Sequence, residues 1–361
     1  MKKTPLFACI LLLMALAAVS FAVLPGRTYS ALENRMLAGA PALSSLFGSG
    51  FDEAMEAFAS DHFPLRDQLV SARTALLRLS GARRIDDTLL GSGGWLFEIV
   101  PEGVTRNAAL CMQTLEEVSA VTGLPHDLML IETSAQALPH RLPRLAHVSD
   151  QEKTIDALYA MAERVRPLYT TLPDQPDGET LYYRTDHHLT ADGAQVVYER
   201  ICGAWGLAPQ AAPRFEAEGF LGSYYAKAPG AWVGSETMSV SLPEGIRVMI
   251  DGEEKDGLID RTALEGRNKY AAVLAQTYAH VQLINENAQG SLLILCDSYA
   301  NAVAPLLAQH FGRVDMVDPR YFTGTLSALC GEAGTQRILT LMGLNIFSEN
   351  RGLLLMDVGG E

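Results

Sequence analysis

Five apolar side chains in succession, Leu292-Leu293-Ile294-Leu295-Cys296, run straight into Asp297-Ser298, and this run constrains the chain more than any other. A run that is apolar at every position, not at alternate ones, is a strand buried on both faces, as in parallel sheets covered by helices. Mostly apolar runs return at Asp127 to Ile131, Val314 to Val317 and Ile338 to Met342, each with one polar residue, Asp127, Asp315 and Thr340. Shorter stretches at Leu181 to Arg184, Ala271 to Leu274 and Val281 to Ile284 also read as strands. Between them, Asp150 to Arg166 has the period of an amphipathic helix, and a further helix is expected from about Asn301 to Phe311. Ala191 to Trp205 is the clearest helix, with Ala194, Val197, Ile201 and Ala204 on one face and Thr190 placed as its cap. Strands alternating with helices give an α/β protein with a parallel sheet flanked on both sides.

The ends of the chain bound its location. Lys2 and Lys3 precede an uncharged, mostly apolar run from Thr4 to Leu24, which Pro25-Gly26-Arg27 closes. About 20 apolar residues cross a bilayer as a helix, and the lysines are expected to stay inside. Residues 1–25 therefore read as a signal anchor, a single-pass transmembrane helix that leaves the rest of the chain extracytoplasmic on the cell membrane. A cleaved signal peptide, using the small residues of Ser20-Phe21-Ala22, is the alternative and would release the protein. Residues 26–90 read as a helical stalk or cap, broken near Asp61-His62-Phe63-Pro64, and 91–361 as the main domain. Within it, about 207–265 is a Gly/Pro-punctuated, β-rich insertion. The net charge of −14 repels nucleic acid and anionic headgroups, so neither is expected as a partner of the protein's body. The five cysteines contain no C-x-x-C, which excludes zinc ribbons and favours buried free thiols; one disulfide among Cys111, Cys202 and Cys330 stays open.

Two segments carry candidate chemistry. In open α/β sheets ligands bind at the carboxyl ends of strands, so Ser298 stands where a nucleophile is useful. A helix start just after it offers free N–H groups to a developing oxyanion. The second segment is Arg184-Thr185-Asp186-His187-His188-Leu189-Thr190. In an extended loop Asp186 and His188 project the same way, so the carboxylate can orient the imidazole and the imidazole can serve a serine as base. His187 then points away, towards packing or a hydrogen bond. A metal site of Asp186, His187 and His188 and a simple capping turn are the competing readings; no metal or cofactor is expected. Gly343 and Asn345, after the last apolar strand, are candidates for the oxyanion, and Arg320 for an acyl or sugar oxygen unless it pairs with Asp318. Asn301 is grouped with them as a substrate-facing candidate.

These motifs resemble the DHHW family, named for its Asp-His-His-Trp motif. The resemblance rests on Thr185-Asp186-His187-His188 with Thr190-Ala191-Asp192-Gly193-Ala194, on Cys296-Asp297-Ser298-Tyr299-Ala300-Asn301 with Pro305 and Leu307, and on Val317-Asp318-Pro319-Arg320-Tyr321. Glu33-Asn34-Arg35-x-Leu37 and Asp61-x-Phe63-Pro64-x-Arg66 match its amino-terminal markers. Leu189 departs from it, standing where the family has Trp. That family is similar to the SGNH hydrolase-like proteins that O-acetylate alginate in the bacterial envelope. The resemblance implies a permuted SGNH fold, with Asp186 as orienter, His188 as base, Ser298 as nucleophile and Gly343-x-Asn345 as the displaced oxyanion block. It also implies a polysaccharide substrate and a membrane-bound O-acyltransferase as partner and acyl donor. The expected activity is polysaccharide O-acetyl transfer, with an exported carbohydrate acetylesterase or a non-catalytic binding or assembly protein as alternatives.

Overall fold

The computed structural model describes residues 27–360 apart from 43, 45–47 and 276, together with Phe7 and Leu12. But for those two residues, the expected membrane-spanning helix over 1–25 lies outside the described residues. Among the described residues no helix is long and apolar enough to cross a membrane. The chain divides into two compact units, one of Met1–Asp86 with Tyr225–Trp232 and one of Asp87–Tyr224 with Val233–Glu361.

The first unit opens with an antiparallel ribbon of Tyr29–Ser30 (β1) and Arg35–Met36 (β2). Two helices follow, Phe51–Asp61 (α1) and Arg66–Leu79 (α2), and then a short strand, Arg84–Ile85 (β3). The helix break falls where Pro64 disfavours helical backbone at Phe63. The arm formed by β1 and β2 is tied to the helices by charge. Asp61, 6% exposed, receives the Arg35 guanidinium at 2.5 and 2.9 Å and the backbone N–H of Ala38 at 2.8 Å. Glu33 pairs with Arg66. The hydrogen bond from Arg35, helped by those from Ala38 and the charge of Arg66, outweighs burial and holds the Asp61 carboxyl down at about 2.

The second unit begins with the hairpin Thr88–Leu90 (β4) and Leu96–Glu98 (β5), turned at Gly91 to Gly94. Its centre is an eight-stranded sheet of His126–Ile131 (β6), Arg166–Leu168 (β7), Arg247–Ile250 (β10), Glu253–Lys255 (β11), His280–Ile284 (β12), Ser291–Cys296 (β13), Arg313–Val317 (β14) and Arg337–Gly343 (β15). The order is β11-β10-β12-β14-β13-β15-β6-β7, with a separate ladder of Arg214–Phe220 (β8) and Glu236–Ser241 (β9) beside it. Strands β14, β13, β15, β6 and β7 are mutually parallel. The all-parallel sheet expected from the sequence is corrected at one edge, where β12, β10 and β11 add antiparallel strands. The six-residue link 285–290 explains the reversal at β12, since a parallel crossover takes a dozen residues or more.

The central strand shows why every position had to be apolar. Leu292, Ile294 and Cys296 enter one core with Ala194, Val197 and Ile201 of helix Ala191–Trp205, whereas Leu293 and Leu295 enter the other. That second core holds Cys111, Met112 and Leu115 of helix Arg106–Thr122, and Ile155 and Leu158 of helix Gln151–Tyr159. Each such side chain contributes about 1.5–3 kcal/mol on burial. Three local expectations are revised. The helix begun at Gln151 stops at Tyr159, leaving Arg166 to start β7; Leu181 ends a one-turn helix; and residues 269–272 form a 3-10 turn in place of a strand. The four described cysteines, Cys111, Cys202, Cys296 and Cys330, are buried free thiols.

The Asp61 network gives a pH-dependent prediction. Its folded carboxyl lies below the unfolded value, so its stabilisation is complete above about pH 4 and lost as pH falls towards 2. Asp61→Asn should cost about 1–3 kcal/mol at pH 7, read as a lowered urea midpoint, and the gap to wild type should narrow as pH approaches 3. A gap independent of pH would reject the ion-pair account.

Candidate active site

The parallel register brings the carboxyl ends of β13, β14, β15 and β6 to one edge of the sheet. Ser298 is the second residue after the end of β13 and is half-buried, while Asp297, Tyr299 and Ala300 around it are buried. The long helix expected after it is instead a 3-10 turn, Ser298–Ala302, followed by a single helical turn, Ala304–Leu307, with Pro305 inside its first turn. Asp297 caps this turn by accepting the Tyr299 N–H at 2.8 Å through one oxygen. Its other oxygen accepts the Gly343 N–H at 2.9 Å, tying the ends of β13 and β15 together. Burial pushes Asp297 up to about 6 despite those bonds.

The loop 184–190 meets this edge. His188 Nε2 lies 2.8 Å from Ser298 Oγ, and its Nδ1 lies 2.5 Å from Asp186 Oδ1. The three side chains singled out in the sequence are thus hydrogen-bonded in series across 110 positions of chain. Asp186 is 1% exposed. Burial alone would raise its carboxyl, but His188, His187 and the Ser223 N–H, donating to Oδ2 at 2.6 Å, together hold it well below the usual carboxylate range. With Nδ1–H directed at Asp186, Nε2 is left to accept the Ser298 hydroxyl.

Several partners of this chain had no signal in the sequence. Tyr270 stacks on the His188 imidazole, ring centroids 3.8 Å apart and planes 15° apart, and its hydroxyl donates to the Ser298 carbonyl at 3.2 Å. Glu236, on β9, accepts the backbone N–H groups of Arg184 and Thr185 at 2.9 and 2.8 Å and the Thr185 hydroxyl at 2.6 Å. The Leu96 N–H donates to the Arg184 carbonyl from β5 at 2.9 Å. Gly222 leaves room for the site, because a Cβ there would stand 2.2 Å from the Asp186 Cβ. Glu236 and Gly222 lie in the segment 207–265, and nothing in their local sequence marks them; only the fold brings them to the loop.

His187, expected to turn towards packing or a hydrogen bond, makes the hydrogen bond while staying beside Asp186 and His188. Its Nδ1 sits 2.7 Å from Ser223 Oγ and 3.8 Å from Asp186 Oδ1, with its ring against His188. Asp186, His187 and His188 can each present one ligand atom within 4.8 Å of the others. Those atoms already serve the hydrogen bonds just described, so a cation would have to break the series that reaches Ser298. Leu189, at the position of the family's Trp, is fully buried, which makes that position one of packing and not of surface.

The remaining candidates separate. Gly343 is needed for space, since a Cβ there would meet the Tyr299 ring at 2.4 Å, and its N–H is spent on Asp297. Asn345 directs its amide nitrogen at Glu98 Oε2, 2.5 Å away. Asn301 is 2% exposed and fully engaged, accepting from the Tyr278 hydroxyl and donating to the Val273 carbonyl, so it anchors the turn from inside. Arg320 forms a two-pronged pair with Asp318.

No family model and no curated protein sequence matches the chain. Among solved structures it is similar to a DHHW family protein from Eubacterium siraeum, at 19% identity and TM-score 0.65 over 74% of this chain and 93% of that one. It is also similar to Bacillus cereus PatB1 carrying a sulfonyl adduct, at 18% identity and TM-score 0.63 over 75% and 99% of the two chains. The O-acetyltransferase domain of Pseudomonas putida AlgJ gives a TM-score of 0.48 at 13% identity, over 75% and 96%. At 18–19% identity the likeness to the first two is one of fold, a mixed α/β architecture around a large, mostly parallel sheet.

Proposed function

We propose that this chain is an extracytoplasmic, membrane-tethered O-acetyltransferase that acylates a polysaccharide through Ser298. The reading is carried by one observation, the series Asp186–His188–Ser298 at the carboxyl edge of the sheet. Ser298 Oγ would attack the acyl carbonyl while His188 Nε2 takes its proton, and Asp186 would stabilise the imidazolium so formed. The donor alcohol or thiol departs with that proton; a sugar hydroxyl, giving its proton to His188, then attacks the acyl-serine, the ester bond to Ser298 breaks, and His188 returns the proton to Ser298 Oγ. Since the N–H groups of Tyr299 and Gly343 are bonded to Asp297, the second amide hydrogen of Asn345 is the candidate for the oxyanion, with Glu98 holding the amide in place. The donor implied by the motifs is a membrane-bound O-acyltransferase, and the apolar run 4–24 would keep the two on one membrane. With water in place of the sugar, the same groups make an acetylesterase.

A chromogenic acetyl ester, with and without polysaccharide, tests this reading. Ser298→Ala and His188→Ala should each lower turnover by about 10³-fold or more, and a sulfonyl fluoride should label wild type but not Ser298→Ala. Turnover by Ser298→Ala equal to wild type would reject serine chemistry. Acetate release that polysaccharide fails to divert would assign the esterase instead.

The loop partners give a second prediction. Gly222→Ala drives a methyl group into Asp186 and should cost about 10²-fold in turnover by displacing it. Circular dichroism should show the sheet and helices retained. Full activity in this variant would mean that the Asp186 geometry is not required.

A further inference from the structure

The Asn345 amide is secured at one end and not at the other. Its nitrogen is bonded to Glu98 Oε2 at 2.5 Å, whereas its Oδ1 is buried and meets no partner among the described residues. The hydroxyls of Tyr224 and Tyr299, residues that are 1% and 0% exposed, are in the same position. A buried oxygen without a hydrogen bond is costly, and folded proteins supply it with a partner from the chain or from internal water.

The three oxygens belong to one place. The point that a Cβ on Gly343 would take is 2.4 Å from Tyr299 Cε2, the ring carbon next to the one bearing the hydroxyl, and 2.7 Å from Asn345 Oδ1. Tyr299 and Tyr224 flank the His187 ring, with centroids 5.6 and 6.1 Å from it. Burial, and after it the nearness of Tyr224 and Glu98, holds the Tyr299 phenol well above its ordinary value. Burial and then Glu98 do the same for Tyr224, so both phenols remain O–H donors. The Glu98 N–H reaches towards the Tyr224 oxygen without closing a bond, which leaves the Tyr224 hydrogen to be placed. Across the hairpin Thr88 pairs with Glu98, so the two side chains share a face, and Thr88 Oγ1 is buried and unpartnered as well. Two O–H donors, a carbonyl acceptor and a carboxylate match a water molecule, which accepts from the phenols and donates to Asn345 Oδ1 and Glu98. An anion would face the Glu98 carboxylate, and a cation two O–H groups turned towards it.

We propose that Tyr224 and Tyr299 are positioning residues that fix the Asn345 amide through one internal water shared with Glu98. With Oδ1 bonded to that water and one N–H to Glu98, the amide cannot turn over, and its second N–H stays directed at the oxyanion formed on Ser298 attack. The inference deepens the reading of Ser298 as nucleophile and rests on it.

Turnover of the chromogenic ester by Tyr224→Phe, Tyr299→Phe, Asn345→Ala and the Tyr299→Phe/Asn345→Ala pair tests it, with circular dichroism showing that each variant is folded. Asn345→Ala should lower kcat by about 10²-fold or more. Each tyrosine variant should lower kcat about tenfold and leave KM within about twofold of wild type, because a loosened oxyanion donor acts on the transition state alone. Once Asn345 is alanine, adding Tyr299→Phe should change kcat by less than about twofold. A tenfold loss in both backgrounds would make the hydroxyl structural and overturn the inference, as would full kcat in the single tyrosine variants. A crystal structure of the wild type gives a measurement that does not depend on any variant folding. It should show a water within about 3.2 Å of Tyr224 Oη, Tyr299 Oη and Asn345 Oδ1. No solvent atom there, or a halide that bromide replaces, would overturn the proposal. Wild type without Ser298-dependent turnover would remove the reading beneath it, and this inference with it.

Discussion

An ionised carboxylate sealed from water is the costliest group in this structure, and the site is arranged around keeping Asp186 in that state. Burial on its own would protonate it. Four groups oppose this: the His188 ring, the His188 backbone N–H at 2.9 Å, the Ser223 N–H and the neighbouring His187. They come from two loops that only the folded second unit brings together. A neutral Asp186 would lose the preference for hydrogen on His188 Nδ1, and with it the free Nε2 lone pair that faces Ser298. The tautomer of one imidazole is therefore decided by loop packing around a different side chain.

The serine side of the site depends on a second buried acid with a different job. Asp297 spans β13 and β15 through two backbone N–H groups, which fixes where Ser298 leaves the sheet. Its carboxyl sits higher than that of Asp186 because its partners are backbone dipoles, with Arg320 further off and Asp318 opposing it, instead of a facing imidazole. Two adjoining acids thus differ by what surrounds them and not by depth alone. The same bonds spend two N–H groups that a helix-start argument would have offered to an oxyanion.

Much of this was legible in the sequence, and the pattern of what was not is physical. Largely apolar runs announce doubly buried strands, so β6, β13, β14 and β15 were readable, and with them the edge that holds Ser298. The Asp-x-His spacing was readable because extended backbone fixes it. What a strand does not announce is its direction, and β12 runs antiparallel because of a short link rather than its own residues. Glu236, Gly222 and Tyr270 were invisible for another reason. They act on loop 184–190 through backbone N–H groups, an absent side chain and a ring face, and none of these leaves a local pattern.

The amino-terminal motifs show how a recognisable string becomes a physical object. Glu33-Asn34-Arg35 and Asp61-x-Phe63-Pro64-x-Arg66 are two strings in sequence and one ion-pair network in space, with Asp61 and Glu33 each facing an arginine from the other string. That network is short-ranged and mostly shielded, so it welds the β1–β2 arm to the helix break and leaves the outer face of α2 no part in the weld.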